Sequence, residues 1–148
     1  MPPAPPEASP PSNPERLRRA AAAAAANRLD EAAALVEEAL LADPRDPLAH
    51  SLEGLLHDLA GRFQMAAASY RAALFLEPQL AQVRLLLAQC LRRLGWPERG
   101  RREAQQALAS LAQGGAREVE ELTSLGVPAR EALERRLSEA LSHGTRAP

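Results

Sequence analysis

Apolar positions along the chain recur with helical spacing, and the pattern itself repeats. The stretches "VEEALLADP" (36–44) and "YRAALFLEP" (70–78) share one layout: a small alanine, then a leucine, then an acid–proline step. Pro44 and Pro78 stand 34 residues apart, and Ala112 follows at the same step. Ala39, Ala73 and Ala107 keep that period, as do Asn27, Gly61 and Gly95, and Ala32, Ala66 and Gly100. A fixed period of this length marks a supersecondary unit that is stacked on copies of itself.

The columns make physical sense for two helices per copy. Asn27, Gly61 and Gly95 are residue types that tolerate the left-handed conformation ending a helix. Ala32, Ala66 and Gly100 lie just beyond, where a second helix crosses close to the first and only a small side chain fits. Ala39, Ala73 and Ala107 lie two turns further on the same face. Pro44 and Pro78 stop the second helix. Asn13-Pro14 and Asp46-Pro47 read as N-cap plus first-turn proline, and Trp96-Pro97 as another proline start. The pattern predicts six helices, near 15–26, 30–42, 47–60, 63–76, 81–94 and 97–112. They form three antiparallel pairs in repeats of about 13–46, 47–80 and 81–114. The expected fold is all-α, a short right-handed superhelical solenoid.

After Gly114 and Gly115 the period stops. A connector is expected over 113–127, followed by an amphipathic helix over 128–142 with Val127, Leu133, Leu137 and Leu141 as its stripe. A solenoid needs its last pair covered, so this helix is expected to cap it; occupying the groove is the other role open to it. Residues 1–13 read as a disordered proline-rich tail and 143–148 as a second tail.

Composition sharpens the class. The 148 residues are 46% hydrophobic but only 3% aromatic, which favours helices packed through alanine and leucine over a β-rich fold. There is no isoleucine or lysine, and all 18 basic residues are arginine, a bias read as the codon usage of a GC-rich genome. A net charge of −1 and a pI near 6.3 point to neither nucleic acid nor an anionic membrane. Cys90 has no partner for an internal disulfide, no apolar run spans a bilayer, and the N-terminus lacks secretory-signal features. A cytoplasmic setting is expected.

With Gly54, Gly61, Phe63, Ala66, Tyr70, Ala73 and Pro78, the middle copy resembles the tetratricopeptide repeat. The resemblance extends over roughly residues 13–112. The first copy departs from the pattern at Ala20, Asn27 and Val36. The third departs at Gly100 and Ala104 and lacks the final proline. The segment from Glu53 to Leu108, with "AALFLEP", "LLLAQCLRRLG" and an arginine-rich last helix, also resembles the repeat module of CheR-type chemoreceptor methyltransferases. That resemblance implies a partner module in a bacterial chemosensory pathway, since the methyltransferase itself is absent.

No pattern carries catalysis. His50, His57 and His143 lack further ligands for a metal, and His57 is expected near the inner surface. Cys90 reads as a buried structural thiol. The glutamates of "REVEEL" (117–122) read as a solvated face, and no phosphate loop, nucleophile elbow or triad order occurs. The expectation is a non-enzyme without cofactor or metal.

Recognition remains. The first helices of the pairs are expected to line a concave groove, with Leu17, Ala21 and Ala24 at its near end. The partner-binding residues projected from the period are Leu48, Ser51, Leu55, Asp58, Gln82, Leu85, Gln89, Arg92 and Arg93, with Leu59 beside them. This surface runs from apolar to cationic and suits an extended peptide or an amphipathic helix with a trailing acid. The positions matching the carboxylate clamp of chaperone-tail receptors are Leu17, Ala21, Leu52, Gln82 and Leu86. None is charged, so that use is disfavoured. Arg99, Arg101 and Arg102 extend the cationic end, but without stacking aromatics they do not suggest nucleic acid. The expected partner is a protein, such as a chemoreceptor, a methyltransferase or a response regulator. The alternative is an assembly adaptor or co-chaperone-like factor for a secretion or envelope complex.

Overall fold

The computed structural model describes residues 1–3 and 9–142, and among these it has eight helices and no strand. They are α1 (Asn13–Ala25), α2 (Leu29–Ala42), α3 (Pro47–Leu59), α4 (Phe63–Leu76), α5 (Ala81–Arg93), α6 (Pro97–Ala112), α7 (Glu120–Ser124) and α8 (Arg130–Ser142). Part of the proline-rich tail, and all of 143–148 with His143, lie outside the described residues.

Each repeat builds its turn in the same way. Asn27, Gly61 and Gly95 take φ of 60°, 77° and 85°. At each, the next residue's N–H reaches back to the carbonyl five residues earlier: Arg28 to Ala23 at 2.8 Å, Arg62 to His57 at 2.9 Å and Trp96 to Leu91 at 2.8 Å. This is the Schellman closure, and it satisfies carbonyls the helix end would otherwise leave free. The second helices end one residue before the prolines' neighbours, Asp43 and Glu77, which are extended. A residue that precedes proline is driven out of the α region, so the stop acts one position ahead of the ring.

Starts differ in one detail from the sequence reading. Asp46 caps α3 as expected, accepting from the N–H groups of Leu48 (3.0 Å) and Ala49 (3.3 Å). At α1 the cap is Ser12, not Asn13. The Asn13 side chain instead donates to the Ala39 carbonyl (3.0 Å) and to Asp46 Oδ2 (3.1 Å), tying α1 to the end of α2 and to the next cap.

The small columns are the closest crossings. Ala32, Ala39, Ala66, Ala73, Ala104 and Ala107 have no solvent exposure. At Gly100 an added Cβ would lie 2.7 Å from the Ala88 carbonyl oxygen, so even alanine is too large there. At Gly54 it would lie 2.5 Å from the ring of Tyr70.

Helices pair as α1/α2, α3/α4 and α5/α6, and each second helix packs on the following first helix. The result is a solenoid of three tetratricopeptide-type pairs with a C-terminal capping helix. α8 packs on α6 and touches α5, as the first helix of a fourth pair would. Its Leu133 and Leu137 are buried with Ala81, Leu85, Ala88, Ala104 and Ala107.

The stretch before α8 departs from a simple connector. Its glutamates 118 and 120 are solvated, but Val119, Leu122 and Val127 are buried in the main core with Leu17, Leu52, Leu55 and Leu86. The short α7 packs on α1, at the far end of the solenoid from α6, where the stretch begins. Residues 117–128 thus cross the inner faces of α1, α3 and α5.

Candidate binding groove

The groove comes from the repeat geometry. Three first helices lie side by side, and their inner faces present Leu17 and Ala21 from α1, Leu52 and Leu55 from α3, and Gln82 and Leu86 from α5. All six are buried, with exposures from 1% to 8%. Leu17, Ala21, Leu55 and Gln82 are projected onto the groove by the period, while Leu52 and Leu86 enter only through the comparison with a carboxylate clamp.

The occupant is the chain's own 117–128 segment, seated through Gln82. The Val119 N–H donates to Gln82 Oε1 at 2.7 Å. Gln82 Nε2 donates to Thr123 Oγ1 at 2.9 Å and to the Pro128 carbonyl at 3.1 Å. A buried amide is stable only when its donors and acceptor are all used, and here the segment supplies all the partners named. At the mouth, the Arg117 N–H donates to the Gln79 carbonyl (3.0 Å), and the Arg117 guanidinium lies 2.6 Å from both carboxylate oxygens of Glu77.

The structure separates the nine projected groove residues into five groups, the last being the Asp58–Arg93 pair. Ser51, Leu55 and Gln82 are interior; Ser51 spends its hydroxyl on the Pro47 carbonyl at 2.8 Å. Leu85 turns away from the groove and packs with Leu133 and Leu137 under α8. Gln89 and Arg92 border a cleft of about 280 Å³ shared with Arg101 and Ala140, between α5, α6 and α8. Leu48 is half-buried against the main core. The period gave each residue its repeat position, but one helix turn decides between groove, cap and core.

Asp58 and Arg93 form a joint inside the scaffold. Arg93 pairs with Asp58 Oδ1 at 2.9 Å and lies over the Phe63 ring at 5.2 Å. Asp58 Oδ2 accepts from the Tyr70 hydroxyl (3.1 Å) and from Cys90 Sγ (3.4 Å). Burial pushes the Cys90 thiol up to about 12, with the Asp58 charge adding to it. The Tyr70 phenol is raised for the same two reasons. A thiol held neutral is a poor nucleophile, and the cluster fastens α3, α4 and α5 together. Of the cationic end, Arg92 points outward, while Arg93 is half exposed and already paired.

His57 does not face the groove. It lines a cleft of about 410 Å³ with Val36, Leu40, Glu53 and Arg62, on the side toward α2, and its Nδ1 accepts from Arg62 Nε at 3.0 Å. Among the described residues no group of three or more His, Cys, Asp or Glu could hold a metal, and no helix is long and apolar enough to cross a membrane.

No family model and no curated protein matches the chain. Solved structures do. The chain is similar to PcrH in complex with the chaperone binding region of PopD, with a TM-score of 0.73 and 19% identity over 89% of this chain and 90% of that one. It is similar to the Yersinia enterocolitica type III secretion chaperone SycD in complex with a peptide of the translocator YopD, with a TM-score of 0.69 and 15% identity over 88% and 89% of the two chains. The Sgt2 TPR domain from Aspergillus fumigatus follows at 0.65 and 18% identity, over 95% of this chain and 88% of that one. At these identities the likeness establishes the fold, a tetratricopeptide-type solenoid.

Proposed function

We propose that the chain is a non-enzymatic peptide-binding chaperone or assembly adaptor, holding an apolar segment of a secretion-apparatus or translocated protein in its concave groove. The observation that carries this reading is the groove itself. It is an apolar trough with one buried amide that can bond a strand-like backbone, and it already accepts a short segment of chain. Such a site buries side chains at intervals and satisfies main-chain groups between them, as peptide recognition requires. The likeness to a type III secretion chaperone solved with a peptide of a translocator, and to PcrH solved with the chaperone binding region of PopD, supports the choice of partner class. Nothing in these likenesses supports the chemosensory partners expected from sequence.

The test places a photo-crosslinking amino acid at Leu59, which is 58% exposed beside the groove's open end, and irradiates the native cell. Adducts to an apolar secreted or translocated protein are expected. Adducts to a chemoreceptor, a methyltransferase or a response regulator would sink the reading.

A further inference from the structure

The segment that fills the groove is short, hinged and incompletely matched to it. It leaves α6 through Gly114 (φ 72°) and Gly115, and turns out at Gly126 (φ 88°), with only the five-residue α7 between. It presents Val119, Leu122, Leu125 and Val127, apolar at i, i+3, i+6 and i+8. Gln82 holds it by main-chain groups near both ends, the Val119 N–H and the Pro128 carbonyl. Those two bonds specify no side chain, and the third, to the Thr123 hydroxyl, asks only for an acceptor, so the groove reads apolar spacing, backbone and one polar position. The fit is poorest at Leu125. It is only half-buried, and a small void beside it is lined by Ala20, Ala24, Leu52, Leu55 and the exposed Leu59.

We propose that residues 117–128 are an intramolecular stand-in for the partner: the groove's ligand is a protein segment with the same apolar spacing, and it enters by displacing them. This deepens the peptide-binding reading above and rests on it. A tethered occupant competes at an effective concentration in the millimolar range. A partner therefore wins by adding contact, and the space beside Leu125 and Leu59 is where a larger apolar side chain adds it. The mouth pair Arg117–Glu77, with side-chain exposures of 48% and 23%, can part into water at little cost. α8 need not move, because Leu133 and Leu137 belong to a separate cluster on α5 and α6.

The experiment titrates the full chain with a fluorescein-labelled synthetic peptide of residues 116–129, AREVEELTSLGVPA, followed by anisotropy and by hydrogen exchange of the chain. A Leu122→Ser chain, whose own segment seats poorly, is expected to bind this peptide at least about tenfold tighter than wild type, given the tether it no longer competes against. The same peptide carrying Leu125→Trp is expected to bind wild type tighter than the unmodified one. In the bound complex, amides of 119–127 in the chain lose protection while those of α8 keep it. Equal affinity of the two chains, including no binding by either, overturns the proposal, as does undiminished protection of 119–127 in the complex. If Leu122→Ser does not fold, Thr123→Ala, which removes an acceptor of Gln82 Nε2 at a half-buried position, replaces it with the same expected order. Displacement together with Leu59 adducts only to signalling proteins would overturn the chaperone reading and leave the stand-in intact. Adducts to a translocated protein with 119–127 still protected would do the reverse.

Discussion

Asp58 shows how much one side chain can be asked to do here. It takes hydrogen bonds from Tyr70 and Cys90 and an ion pair from Arg93, so three helices meet on one carboxylate. The thiol is the part that titration can read. Its folded pKa, about 12, lies above its ordinary value of 9.0, so the folded state keeps a proton that the unfolded chain releases. The associated stability is fully present below about pH 9 and is lost as pH rises toward 12. Urea melts between pH 8 and 11 are expected to show stability falling by up to about 1.4 kcal/mol per pH unit from the thiol alone, with Tyr70 adding to the fall above pH 10. In Cys90→Ala the slope is expected to be shallower, with Tyr70 carrying what remains. An unchanged slope would mean the thiol is not held neutral by the fold. Asp58 was legible in sequence as a polar inner position, but its task was not, because no spacing rule reports that Cys90, 32 residues away, points at the same oxygen.

Helices in this chain hold together through small-residue crossings and leucine contacts, and α8 tests that balance at the solenoid's end. Leu137 is fully buried among alanines that cannot close over a gap. Leu137→Ala is expected to cost about 3 kcal/mol, the range for a leucine removed from a packed site. The neighbouring exposed Ser138→Ala should change stability by less than about 0.5 kcal/mol. Thermal or urea unfolding of the two variants checks this, and near-equal stabilities would mean that α8 is not a working cap. The stripe Leu133, Leu137 and Leu141 made this helix readable in advance, since period alone identifies one apolar face. The short α7 was not readable: five residues cannot display a helical period, and their glutamates dominate the local composition.

Across the molecule, the segment 117–128 does what neighbour-to-neighbour stacking cannot. Repeats in a solenoid normally feel only adjacent copies. Here α7 reaches α1 while Gln82 grips the same segment from α5, so the first and third repeats are linked. Gln82→Ala removes the partner of the buried Val119 N–H and is expected to destabilise the chain by about 2 kcal/mol. Its signature is distant: in hydrogen exchange, protection should fall in α1 as well as in 119–127, with α4 less affected. Loss confined to 119–127 would show that the link carries no stability to the first repeat. The same link explains why an open groove was expected and a filled one is found. The repeat period describes residues 13–112, and the occupant lies outside it.

Helix positions, turns and the small crossing columns were all present in the order of residues, because each depends on chemistry within a few positions: glycine at positive φ, proline past a helix end, alanine at a crossing. The stacking followed from the period. Which face of each first helix stays wet did not. Leu55, Gln82 and Leu85 are polar or apolar in ways that suit a groove, a core or a cap equally well. Contact with α7 and α8, segments 30 to 80 residues away along the chain and outside the repeat, decides among them. Burial depends on what arrives from elsewhere in the molecule, and no local pattern records that arrival.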